Sequence, residues 1–276
     1  MEKKFLLVGA LLLAGGFSTM NADVIYVTES GSGDGTSWSS AASLEDALSW
    51  AAAGDEVFVA KGTYTGSFKL RAAAKVYGNC VGTETEPPTY TTAEGLETFL
   101  KGPGGKRVLY LDGKASEIYG LDISGGDAST ETTGVGRGGG VYINDGGATL
   151  KYCNIHDNIG VDGSKNILGS NGKALKGVGG GLYVLNGRLE NCIIENNIAT
   201  TAPWEDTSKT WSTGIGGGIC LDATEGNGCN PDNAIVLNCI IRNNSTTPTD
   251  DGDSFQSQGG GIAIKSGKLI NSLVVG

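Results

Sequence analysis

The second half of the chain writes one unit four times: a glycine triplet, a short alternating strand, a second apolar strand, Asn-Cys-x-Ile or a near copy, then paired asparagines. The triplets are Gly138-Gly139-Gly140, Gly179-Gly180-Gly181, Gly216-Gly217-Gly218 and Gly259-Gly260-Gly261. The second halves run Leu150 to Ile155, Leu189 to Ile194, Val236 to Ile241 and Leu269 to Val274, with Ile118 to Ile123 as a fainter forerunner. Aligned, the first and third residues after each triplet are always aliphatic (Val141, Leu182, Ile219, Ile262; Ile143, Val184, Leu221, Ile264), while the second is mixed (Tyr142, Tyr183, Cys220, Ala263). Period-two alternation means strands with one buried face. A unit this short cannot bury that face alone, so neighbouring copies must stack. Glycine and asparagine fall where the chain has to turn, because both tolerate positive φ. The expected fold class is all-β, a right-handed parallel β-helix with coils about 4.8 Å apart.

Ser43 to Ala53 reads as a short capping helix. Leu44, Ala47, Leu48 and Ala51 share one face, Ser43 is the N-cap and Gly54 the stop. Val57 to Val59, Phe68 to Leu70 and Lys75 to Tyr77 are the first expected strands, Val108 to Leu111 and Ile118 to Ile123 the next coil, and 82–105 a long polar surface loop. Met1 to Ala22 has the form of a secretory signal, two lysines followed by an apolar run, so the protein is expected to be exported, to the extracellular space or an outer-membrane surface. The solenoid domain then occupies 23–276, with a cap over about 23–66 and repeats over about 105–276. The sequence breaks off just after Leu273-Val274-Val275, which reads as a solenoid cut short. No later apolar run is long enough to span a membrane. A formal net charge of −10 without basic clusters argues against nucleic acid as a partner.

Cys153, Cys192 and Cys239 occupy one inward position on successive copies, with Ser272 in the fourth. Stacked parallel strands hold Cβ atoms about 4.8 Å apart, beyond the roughly 3.5–4.5 Å a disulfide needs, so a ladder of buried thiols is expected. Cys220 and Cys229 flank an insertion found only in the third copy and could close it with a disulfide.

Ile25-Tyr26-Val27, Gly33-Asp34-Gly35-Thr36-Ser37-Trp38, Leu44 to Ala53, Gly54-Asp55, Gly62-Thr63-Tyr64, Tyr77-Gly78-Asn79 and Gly82-Thr83-Glu84-Thr85 resemble the opening of secreted bacterial proteins of the pectin-lyase-like β-helix superfamily. The Gly-Gly-Gly-Ile and Asn-Cys-x-Ile-x-x-Asn repeats are similar to those of polymorphic outer-membrane proteins. The resemblance implies the fold. Its functions range over lyases, hydrolases, epimerases and adhesins, so chemistry must come from particular residues.

The linkers 127–137, 161–178, 200–215 and 246–258 all leave one corner and must gather on one flank. That flank carries Trp204, Trp211 and Phe255 beside Glu205 and Asp206, a combination suited to sugars, whose faces pack on rings and whose hydroxyls donate to carboxylates. Asp250, Asp251 and Asp253 offer oxygen ligands for Ca²⁺ without the spacing of a defined calcium loop, and the sequence implies no other cofactor. His156, Glu195 and Arg242 lie three residues beyond the repeat cysteine on consecutive copies, so they should touch on one outer sheet face, as an acid, base and cation or as plain charge pairing. The polygalacturonase set (Asn-Thr-Asp, Asp-Asp, Gly-His-Gly, Arg-Ile-Lys) is missing but for Asp250-Asp251, and neither the Arg-x-Pro-x-x-Arg of pectate lyases nor the Asp-Pro-His-Glu of alginate epimerases occurs. The sequence therefore favours a non-catalytic surface scaffold for a polysaccharide or cell-surface glycan. A lyase or hydrolase of acidic polysaccharide and a passive stalk of a larger surface protein are the alternatives.

Overall fold

The computed structural model describes residues 22–276 apart from 114, 145, 163–176, 202–213, 224–230 and 247–258. The chain is a right-handed parallel β-helix of three long sheets, with one α-helix among the described residues. The first sheet stacks Val24–Val27, Glu56–Ala60, Lys75–Cys80, Glu117–Tyr119, Ala148–Lys151, Gly187–Glu190, Ile235–Leu237 and Lys268–Ile270. The second stacks Phe68–Leu70, Leu109–Leu111, Val141–Ile143, Leu182–Val184, Ile219–Asp222 and Ile262–Ser266. Gly62–Thr65, Thr98–Lys101, Asp122–Ser124, Asn154–His156, Ile193–Glu195, Ile240–Arg242 and Leu273–Val275 make the third. Each repeat supplies one strand to each sheet, and the register copies the alignment of the repeats: Val141 pairs with Leu182, Leu182 with Ile219, and Ile219 with Ile262.

The inward columns fill the axis. Ile118, Leu150, Leu189 and Val236 come from the first sheet and Ile123, Ile155, Ile194 and Ile241 from the third, all essentially without solvent contact. Full burial of each such side chain contributes about 1.5–3 kcal/mol, and this term holds the coils together. Between those two sheets the chain turns in two residues, the first at positive φ: Tyr152, Asn191, Asn238 and Asn271 at 53°, 54°, 53° and 44°. The second residue of that turn is the inward cysteine. Cys153, Cys192 and Cys239 are buried free thiols. Burial raises the Cys192 thiol well above its ordinary range, and contact with Cys192 followed by burial does the same for Cys239.

The paired asparagines divide their labour. The first residue of each pair takes positive φ (Asp157, Asn196, Asn243), while the second points inward to form a ladder. Asn158 Nδ2 donates to Asn197 Oδ1 at 3.0 Å, and Asn197 Nδ2 donates to Asn244 Oδ1 at 3.0 Å. The same amides also donate to carbonyls, as from Asn197 to Ile155 at 2.9 Å. This satisfies polar groups that the corner would otherwise bury unpaired. The glycine triplet is demanded by the same corner. A Cβ on Gly180 would lie 2.3 Å from the Ile198 carbonyl oxygen and 2.5 Å from that of Gly217.

The capping helix runs Leu44–Trp50, with Ser43 Oγ accepting from the Asp46 amide. It ends at Trp50, before the expected stop at Gly54, because Ala51 already leaves helical geometry. Leu44 and Leu48 close the N-terminal end of the core over Val59, Leu70, Val76 and Leu100. The polar loop expected over 82–105 is interrupted by the strand Thr98–Lys101, whose Leu100 enters the core and pairs with Tyr64 and Ile123. At the other end, Ile264, Ile270, Leu273, Val274 and Val275 are large apolar side chains open to solvent.

Candidate functional site

The linkers do gather on one flank where they are described. Their stems stack coil on coil, with Ile159–Val161 beside Ile198–Thr200 and Gly177–Val178 beside Gly214–Ile215. Single bridges extend both stacks, from Asp127 to Ile159, Ile198 to Ser245 and Arg137 to Val178. At the base of this flank Asp162 Oδ1 accepts from Thr201 Oγ1 at 3.3 Å. Trp204, Trp211, Phe255, Glu205, Asp206, Asp250, Asp251, Asp253 and Cys229, the partner expected for the buried Cys220, lie outside the described residues.

The stems cover the outer face of the second sheet, and there the structure adds groups that sequence reasoning missed. Tyr110, Tyr142 and Tyr183 stack with ring centroids 5.2 Å apart at each step, forming a second apolar layer with Val178, Leu185 and Cys220. Cations lie on these rings: Lys69 over Tyr110 at 4.2 Å, Arg107 over Tyr142 at 4.8 Å and Arg137 over Tyr183 at 5.0 Å. Arg107 is buried, and burial holds its pKa below the usual value. Its Nη2 donates to the carbonyls of Gly134 at 2.7 Å and Arg137 at 2.9 Å, tying the 127–137 linker to the sheet. Beside the same ladder the fully buried Asp222 accepts from the Tyr183 hydroxyl at 3.0 Å and pairs with Lys265. Tyrosine in the same strand position of two consecutive full repeats was the available signal.

Two carboxylates lie at the ends of second-sheet strands on this side, Asp112 just after Leu109–Leu111 and Asp222 as the last residue of Ile219–Asp222. Their strands are three coils apart, about 14 Å at the spacing of parallel strands. That exceeds the roughly 5–9.5 Å between the paired carboxylates of glycosidases.

His156, Glu195 and Arg242 occupy one outer column of the third sheet, paired in register as expected. Their bonds are more specific than that column suggests. His156 Nε2 meets Asp122 Oδ1 at 2.9 Å, one coil down, and Nδ1 meets Asp157 Oδ2 at 2.7 Å. The Asp122 contact, supported by Asp157 and opposed by burial, raises the imidazole to about 9. At neutral pH the ring is a cation with both nitrogens engaged, and it fills the space between its two carboxylates. Arg242 Nε donates to Glu195 Oε2 at 2.6 Å, which raises the arginine further. Proton transfer to a bound substrate would first have to break these bonds. Among the described residues no cluster of three or more His, Cys, Asp or Glu side chains is arranged to hold a metal ion. No helix among them is long and apolar enough to cross a membrane.

No protein-family model matches the sequence, and no curated protein does. Among solved structures the chain is similar to a rice weevil pectin methyl esterase, with 12% identity and a TM-score of 0.37 over 92% of this chain and 66% of that one. It is similar to the pectate lyase Pel9A, with 13% identity and a TM-score of 0.33 over 91% of this chain and 79% of that one. An alginate lyase from a Paenibacillus strain gives 15% identity and a TM-score of 0.30 over 92% and 99%. The repeats' likeness to polymorphic outer-membrane proteins has no counterpart among these matches. Likenesses this distant fix neither substrate nor chemistry.

Proposed function

We propose that the protein is an exported β-helix scaffold that binds a polysaccharide or cell-surface glycan through its linker flank, without cleaving it. The observation that carries this reading is the stacking of the linker stems. Paired stems and the buried tyrosine layer give the described ends of the linkers a common base, which supports a binding role for the aromatic and acidic residues that the sequence writes into the linkers. A rigid base lowers the ordering cost of binding. The engagement of the outer-column groups supports binding over catalysis: His156 is closed between two aspartates and Arg242 is bonded to Glu195.

The test is incubation of the protein with plant, algal and host polysaccharides, scoring both retention and new chain ends. Retention without new ends, lost in a Trp204→Ala, Trp211→Ala double variant, is the expected result. New ends on any polysaccharide would replace the scaffold reading with a lyase or hydrolase. A folded sample that retains nothing would leave a passive stalk.

A further inference from the structure

A second aromatic column stands on the outer face of the first sheet, away from the linker flank. Tyr77 and Tyr119 stack at 4.9 Å and 23° between planes, Tyr119 and Tyr90 at 5.9 Å and 21°, and Tyr90 and Tyr152 at 6.0 Å and 17°. Tyr90 reaches this column from the loop after Cys80. It settles over Gly120, where an added Cβ would come within 2.1 Å of its ring. Gly120 is the turn residue one coil below Tyr152, so Tyr90 supplies the ring its own coil lacks and Tyr152 continues the stack.

Three of the four rings are fastened by their hydroxyls. Tyr77 donates to Glu56 at 3.4 Å, Tyr119 donates to Glu117, and Tyr90 donates to the Gly78 carbonyl at 2.6 Å. The Tyr152 hydroxyl has no hydrogen-bond partner among the described residues and is not buried. Tyr152 also carries a bulky ring at φ 53°, in the position the next three coils give to asparagine. A tyrosine there is unfavourable for the backbone, and such a departure points to a use for the side chain. One coil further on stands Asn191, so no ring continues the stack. Its half-buried side-chain amide makes no hydrogen bond among the described residues. Lys151 lies alongside, 3.2 Å from Glu117 and 3.8 Å from Glu190.

We propose that Tyr152 is the platform of a second carbohydrate subsite, at the corner between the first and third sheets, taking the apolar face of a hexopyranose ring. The sugar continues the tyrosine stack, its hydroxyls meeting the Asn191 amide and the Lys151–Glu190 pair. Apolar ring faces pack on tyrosine, and polar groups at the rim fix orientation.

Tyr152→Asn is the decisive variant, since it installs the residue the other coils already use and should fold at least as well as the parent. Calorimetric titration of the full chain with cellohexaose, mannohexaose, galactohexaose and oligogalacturonate is expected to show at least one ligand whose affinity falls about fivefold to tenfold in Tyr152→Asn. Asn191→Ala should weaken the same ligand, while the Trp204→Ala, Trp211→Ala variant should retain this component. Affinities unchanged in Tyr152→Asn would overturn the subsite and leave the linker-flank reading untouched. The opposite pattern, binding that survives the tryptophan changes and fails in Tyr152→Asn, supports the subsite against the flank. Parent protein that binds none of the four ligands overturns it as well.

Discussion

His156 shows how one residue can be fixed by charge on an outer face. Its imidazole titrates at about 9 in the folded chain, above the ordinary 6.5, so the stabilisation from Asp122 and Asp157 is fully present below about pH 6.5. It is lost as pH rises through about 9. His156→Gln is expected to lower the unfolding free energy by roughly 2 kcal/mol at pH 6 and by little at pH 10, as read from urea titrations at both pH values. Asn197 acts in the interior instead. Its Oδ1 accepts from the Asn158 side chain and backbone, and its Nδ2 donates to Ile155 and Asn244. Asn197→Ala leaves several buried groups without partners, and a loss of about 3 kcal/mol is expected in the same measurement.

At the scale of elements, the linker stems and the tyrosine layer beneath them are the parts that position function. Arg107→Ala should free the 127–137 linker without dissolving the coils. Amide exchange at 134–137 is expected to rise sharply while that at 141–143 stays protected. Gly180→Ala forces a methyl onto two backbone oxygens and should cost roughly 3 kcal/mol or more, seen as a lowered urea midpoint. The strands and their register were legible because inward positions such as Ile155, Ile194 and Ile241 repeat at a fixed offset from the cysteine. Thr98–Lys101 was not, since the 81–97 loop separates it from Asn79-Cys80, whereas in the later copies the strand follows the Asn-Cys turn at once. The second-sheet layer escaped for another reason. Alternation marks Tyr142 and Tyr183 as outward, and only the stacked stems show that outward here means buried a second time. The meeting of His156, Glu195 and Arg242 in one column followed from register alone. Asp122 and Asp157 as the real partners of His156 depended on side-chain direction, which repeat spacing does not encode.

The whole molecule is a one-dimensional stack, so its stability is a sum of neighbour terms and opening should start at an end. One end is closed by the helix Leu44–Trp50, while on the last described coil Leu273, Val274 and Val275 face solvent. Glycan retention through ring stacking is nearly independent of ionic strength, and a net charge of −10 opposes holding a polyanion by charge. Less than a twofold change between about 50 and 500 mM salt is expected in the retention assay, where a polyanion held by charge would be released. The thiol column on the axis has its own consequence. A thiol reacts through its thiolate; Cys192 and Cys239 are kept protonated, and all three column thiols, Cys153 included, are out of reach while their coils stay closed. Pulsed alkylation followed by peptide mass analysis should mark each of these thiols only when its own coil opens, so the axis carries a built-in chronometer that dates the fraying of each coil.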